Sequence, residues 1–141
     1  MIWSVNMDIS RRDLALLPVL VASAAQGAGS ILPSAIYNFD GETQPGGNRG
    51  RALLDGQTHT RFQVEMHMTD LASGQAPHPP HHHLHEEMFL IHEGTLTITI
   101  AGKSGTLGPG SSAYVASNEE HGVRNTGTTN ALYFVIALGT G

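Results

Sequence analysis

From His81 to Gly94 the chain reads His-His-His-Leu-His-Glu-Glu-Met-Phe-Leu-Ile-His-Glu-Gly, so imidazoles and a carboxylate stand directly before an apolar, strand-like run. Further on, His121 and Asn125 form a second polar cluster ahead of another strand pattern. Three imidazoles and one carboxylate brought together make a mononuclear transition-metal site. On a divalent ion such a set leaves a net charge of about +1 and, at five- or six-coordination, one or two open positions. An open position lets the metal polarise a carbonyl or enolate, or take O₂ beside a chelated substrate. The chain has no cysteine. Thiolate ligation and disulfides are therefore excluded, and the donors favour Fe, Mn, Ni or Zn over Cu(I).

Side-chain phase narrows the donor set. Residues two apart on an extended chain face the same way, so His81 and His83 can reach one ion together. Glu87 shares their phase and opens the Met88–Ile91 run, while His121 would arrive from a facing strand. His85 also shares the phase, and spacing alone does not dismiss it; His82 has the opposite phase. A solvated, tag-like chelator is the alternative for a histidine-rich tract. Here the tract runs straight into a strand, carries a spaced Glu and has a matched distal His, which favours a structured site. His59, His67, His78, His82, His85 and His92 read as surface or hydrogen-bonded residues, and Met66 and Met68 as core filling. Met88–Ile91 reads as mostly core, and Tyr114 and Phe134 are candidates to line a cavity. Arg124 should point outward, and Arg49, Arg51 and Arg61 are candidate carboxylate partners.

The elements that must position these residues are short. Ser34–Phe39 is a weak strand pattern and Gln44–Arg51 a Gly-rich loop. Phe62–Met68 alternates, with Phe62, Val64, Met66 and Met68 on one face and Gln63, Glu65 and His67 on the other. Met88–His92, Thr95–Ile100, Ser111–Val115 and Ala131–Leu138 complete the strands; turns are expected at Gly102–Gly105 and Leu107–Gly110. Many short strands with Gly and Pro turns at close spacing predict an antiparallel sandwich or small barrel.

These residues carry a resemblance. His81-x-His83-x3-Glu87-x6-Gly94, with Gly74 upstream, resembles the first motif of the cupin superfamily. Gly110-x5-Ala116-x-Asn118-x2-His121-x3-Asn125 is similar to the second, with Ala116 in place of the usual Pro and Asn118 in place of the usual Gly. Asn is the non-glycine residue that best tolerates a left-handed backbone, so Asn118 can keep the turn. The resemblance spans about residues 62–138 and implies an all-β, single-domain jelly-roll barrel. It implies His81, His83, Glu87 and His121 as metal ligands, holding one divalent transition metal ion (Fe, Mn, Ni or Zn). Glu87 is also the candidate catalytic group, since a carboxylate ligand can detach and act as a base. The usual pattern skips the position of His85. Small cupins commonly pair, so a homodimer is expected, with the segment after residue 25 able to add an exchanged strand.

Composition bounds the rest. The chain has 141 residues, 40% of them hydrophobic, enough for one domain with a core. A net charge of −5 and no Lys/Arg cluster argue against nucleic acid or an anionic membrane surface as partner. Residues 1–24, with Arg11-Arg12 before an apolar run that ends near Ala25, resemble a twin-arginine export signal. Met7 is an alternative start that would shorten it. Pro18 and the run's short length are unlike a spanning helix, so stable membrane insertion is not expected. A periplasmic or secreted location follows from such a signal, and a cytoplasmic one if the segment is an ordinary N-terminal helix. Residues 25–60 then form a linker with edge strands, and residues 61–141 the barrel core. Two functions compete: a metal-dependent, dioxygenase-type oxidoreductase on a small oxygen-rich molecule, and a non-catalytic periplasmic module that binds metal or a small ligand. Zinc with a bound water would support hydrolysis, a weaker third reading.

Overall fold

In a computed structural model the described residues are 29–38 and 48–140, apart from the side chain of Arg49. The segment resembling an export signal, and Met7 with it, lies outside them. The described residues form strands and no helix: β1 (Asn48–Gln57), β2 (Gln63–Leu71), β3 (Glu86–Glu93), β4 (Leu96–Ile100), β5 (Lys103–Leu107), β6 (Ser112–Val115), β7 (His121–Asn125) and β8 (Ala131–Leu138). One sheet has the order β1-β2-β8-β3-β6 and the other β5-β4-β7. Every ladder between these strands is antiparallel. This is the all-β jelly-roll arrangement that the resemblance implied.

The core lies between the two sheets. Leu71, Phe89, Ile91, Val115, Ala131, Tyr133 and Val135 come from the larger sheet and meet Leu96, Ile98 and Val123 of the smaller. Area removed from water by such a cluster is the main favourable term in folding. A second cluster, Leu53, Met68 and Leu132 with Met66 and Phe134 against it, covers part of the larger sheet's opposite face. Met66 and Met68 are thus core filling, as expected, but outside the barrel. The polar face of β2 points inward.

Several expectations need correction. Ser34–Asn38 has no regular structure; Ile31 instead makes one parallel bridge to Gln57, with Leu32 N–H donating to the Gln57 carbonyl at 2.8 Å. Phe39 and residues 41–47 lie outside the described residues. Asn48–Arg51, expected in a loop, opens β1 and pairs with Thr69–Leu71 and Met68. β1 is an edge strand, held by one ladder to β2 and interrupted by a bulge between Ala52 and Leu54, so its own sequence shows little alternation. The Gly102–Gly105 turn shrinks to Ala101 and Gly102, and Lys103 already begins β5. Ala101 (φ 47°) and Gly102 (φ 77°) both take the left-handed backbone that a tight two-residue hairpin demands.

Candidate metal centre

The segment before β3 is what assembles the site. It runs antiparallel beside β7: His81 N–H donates to the His121 carbonyl at 3.0 Å, and His121 N–H to the His81 carbonyl at 2.8 Å. Directly opposed residues of such a pair project to the same side, and the two imidazole centroids are 4.7 Å apart. Gly122 lets the segment lie close, because a Cβ there would stand 3.1 Å from Pro80 Cγ. Asn118, at φ 64°, holds the left-handed turn that precedes β7, and its N–H donates to the His83 carbonyl at 2.8 Å. Asn therefore keeps the turn that Gly usually makes.

His81, His83 and His121 each present a ring nitrogen within 4.8 Å of the others, an arrangement compatible with one metal ion. Glu87 joins them from the start of β3. Its Oε2 is 3.1 Å from His121 Nε2 and its Oε1 3.3 Å from His83 Nε2. Two ligands each about 2.1 Å from one ion and at a right angle are about 3.0 Å apart, so these separations suit neighbouring ligands.

The hydrogen-bond chemistry points the same way. His121 Nδ1–H donates to the Glu119 carbonyl at 3.0 Å, and His83 Nδ1–H to the His85 carbonyl at 2.8 Å. In the neutral rings both Nε2 atoms are then bare lone pairs, turned toward a carboxylate that also offers only lone pairs. A proton or a metal cation between them relieves that opposition. His81 Nδ1 and His83 Nε2 are buried with no hydrogen-bond partner, a cost of about 1–3 kcal/mol each when left unmet. Burial first, then the neighbouring His78, His121 and His83, hold His81 below the ordinary imidazole range, against the opposing pull of Glu87. A neutral imidazole is the form a metal requires.

The other histidines divide. His82 is exposed, as its phase predicts. His85 stacks on His83, with centroids 3.6 Å apart and an interplanar angle of 10°, and its Nε2 stands 3.4 Å from Glu87 Oε1. With His83 and Glu87 it forms a second group of potential donors. His78 packs edge-on against His81 at 4.2 Å.

Two cavities flank the cluster. A small one of about 100 Å³ lies inside the barrel, with Glu87, His67, Phe89, Val123, Tyr133 and Val135 in its wall. Burial pushes the Tyr133 phenol up to about 12, with Glu87 adding to the rise and a hydrogen bond with Thr69 opposing it. Tyr133 thus keeps its proton at neutral pH. Tyr114 and Phe134, the candidates to line a cavity, take other places. Tyr114 is 51% exposed and Phe134 packs on the outer cluster. A larger chamber of about 710 Å³, wide open to solvent, lies beside it, and its walls include Glu65, His67, His85 and Glu87. His67 was expected at the surface or in a hydrogen bond; it does donate to Glu65, at 2.9 Å, yet it borders both cavities. The alternation of β2 put Gln63, Glu65 and His67 on one face, and nothing in it showed that this face turns inward. Arg124 points outward and donates to the Gly74 carbonyl at 2.8 Å. Arg51 donates to the Asn38 carbonyl at 3.2 Å.

Comparison with known proteins agrees with this architecture. The cupin domain family matches residues 67–137. No curated protein matches the chain. Among solved structures, an RmlC-like cupin with a double-stranded β-helix fold from Methanocaldococcus jannaschii is similar at 18% identity, with a TM-score of 0.63 over 75% of this chain and 91% of that one. A cupin superfamily protein from Desulfitobacterium hafniense is 18% identical, with a TM-score of 0.59 over 70% of this chain and 84% of that one. An RmlC-like cupin from Shewanella frigidimarina is 20% identical, with a TM-score of 0.59 over 76% and 93%. Strand order, the histidine cluster at the mouth of the barrel and the matched residues lead to one assignment: the chain belongs to the cupin family.

Proposed function

We propose that this cupin holds one divalent transition metal ion (Fe, Mn, Ni or Zn) through His81, His83, Glu87 and His121, and acts as a dioxygenase-type oxidoreductase on a small oxygen-rich molecule. One observation carries the reading. Donor atoms from the pre-β3 segment, β3 and β7 converge within 4.8 Å for the three histidines, with Glu87 3.1 Å from one of them. The bound ion would supply an open position for a chelating substrate and O₂. The chain's own residues do the remainder. Backbone carbonyls of Glu119 and His85 fix the tautomers of His121 and His83. Phe89, Val123 and Val135 give the inner pocket one apolar side, and Tyr133 offers it a phenol that remains protonated. Glu87 contacts both the histidines and both cavities, the position required of a carboxylate that takes up a proton.

The testing experiment is elemental analysis of untagged protein beside a His81→Ala/His121→Ala variant, followed by O₂ uptake with catechol-, diketone- and flavonol-like compounds. Near-stoichiometric Fe, Mn or Ni that the variant lacks, with O₂ consumed, is the expected result. Metal retained with no turnover, and a ligand recovered unchanged, would make the protein a binding module instead.

Homodimerisation belongs to the same reading. Met88, Leu90 and Tyr114 are 37%, 41% and 51% exposed on neighbouring strands β3 and β6, an apolar strip suited to a second copy. A periplasmic or secreted location is likewise our proposal, supported by the Arg11-Arg12 segment.

A further inference from the structure

The chamber of about 710 Å³ has a charge character that the metal cluster does not explain. Its wall includes Asp55 from β1, Gln63, Glu65 and His67 from β2, His85 just before β3 and Glu87 near its start. Asp55 and Glu65 are direct partners across the β1–β2 ladder. Like charges directly opposite on a sheet are destabilising. Each is met by one neighbour: Gln63 Nε2 donates to Asp55 Oδ1 at 2.8 Å, and His67 Nδ1–H donates to Glu65 at 2.9 Å. Neither neighbour is a permanent cation. Among the described residues that line the chamber there is no Lys or Arg. Both carboxylates belong to the chamber wall and keep acceptor lone pairs beyond these contacts. Glu87 and His67 border the inner pocket as well, which joins the chamber to the metal cluster.

We propose that this chamber is the substrate's binding site, and that it selects molecules presenting amine or hydroxyl donors over molecules presenting a carboxylate or phosphate. Asp55 and Glu65 are the specificity-determining residues. A ligand cation or hydroxyl relieves the opposed carboxylates, whereas a ligand anion adds a third negative charge to them. The inference rests on the metal reading only in placing the reactive end of the substrate at the histidine cluster.

The test uses three compounds that share one chelating diol and differ in charge at neutral pH: dopamine (cation), catechol (neutral) and 3,4-dihydroxybenzoate (anion). Each is titrated calorimetrically into the full chain, with metal content measured on the same samples. Dopamine is expected to bind tightest, catechol next, and 3,4-dihydroxybenzoate at least about tenfold more weakly than dopamine. Asp55→Asn with Glu65→Gln should shrink that ratio to about twofold, while Glu93→Gln, on a residue outside the chamber, leaves it unchanged. The single Glu65→Gln variant, expected to give an intermediate ratio, decides the matter if the double variant does not fold. Equal or tighter binding of the anion, no binding of any of the three, or a ratio untouched by the amide variants would overturn the proposal. A protein that takes up no metal but keeps the charge order sinks the metal reading alone; metal uptake without the order sinks this inference alone.

Discussion

His81 and His121 are hydrogen-bonded to each other through their backbones in both directions, at 3.0 and 2.8 Å. This isolated antiparallel bridge joins His81, which belongs to no strand, to the first residue of β7. It sets the two imidazoles side by side through backbone pairing. Much of the ordering that metal binding would otherwise demand is therefore done by folding.

Metal uptake should depend on the bridge's side chains and not on the histidine tract in general. His121→Ala is expected to abolish stoichiometric metal, since its ring is 1% exposed and is the one member of the three-histidine group that comes from β7. Glu87→Gln, which keeps the shape and removes the charge, should weaken metal binding by at least about tenfold. His82→Ala should leave it unchanged. Equilibrium dialysis with elemental analysis of the three variants checks all of this, and loss of metal from His82→Ala would point back to a tag-like chelator.

The metal-free protein should lose stability on mild acidification. His81 is held below its ordinary value of 6.5. Below 6.5 the unfolded chain accepts a proton that the native chain resists, so the unfolded state binds more protons and stability falls with falling pH. The loss stops once the pH passes below the depressed native value. Thermal melts from about pH 7.5 to about pH 5 should show this fall, with a shallower one in His81→Asn. Identical slopes in both proteins would remove His81 from the account.

Asn125 ties the two sheets together at one end of the barrel. Its buried amide donates to the Leu71 and Thr129 carbonyls at 2.8 Å each, and its Oδ1 accepts from Gly127 N–H at 2.9 Å. Asn125→Ala strands these partners and should cost about 3 kcal/mol, read as a lowered denaturation midpoint. Gly94→Ala should be at least as damaging. Gly94 has φ 79°, and a Cβ there would stand 2.5 Å from the Asn130 carbonyl oxygen.

Dimerisation through the outer strip is tested by Leu90→Glu. A charge at this 41% exposed position costs the folded monomer little, so the variant should keep its melting behaviour and become monomeric by light scattering. A monomeric parent protein at micromolar concentration would end the idea directly.

The donor set was legible in the sequence because its logic is local. The spacing of His81, His83 and Glu87 gives side-chain phase, and Gly94, Gly110 and Asn118 mark left-handed turns whatever surrounds them. The strands β4, β6 and β8 were readable for the same reason, being short apolar patterns closed by turn residues. β1 was not, because an edge strand with a bulge and two glycines is formed by its partner's ladder rather than by its own alternation. Nor could the apolar run of β8 show whether Tyr133 or Phe134 turns inward. That strand is central in its sheet and packed on both faces, so neighbours in sequence are equally apolar. Alternation in β2 separated Glu65 and His67 from Met66 and Met68, but a period of two names two faces without naming the inner one. Only the pairing of β2 between β1 and β8 turned the polar face toward the cavities and set Asp55 opposite Glu65. The chain's local pattern determined which groups could bind a metal; long-range strand register decided what chamber they face.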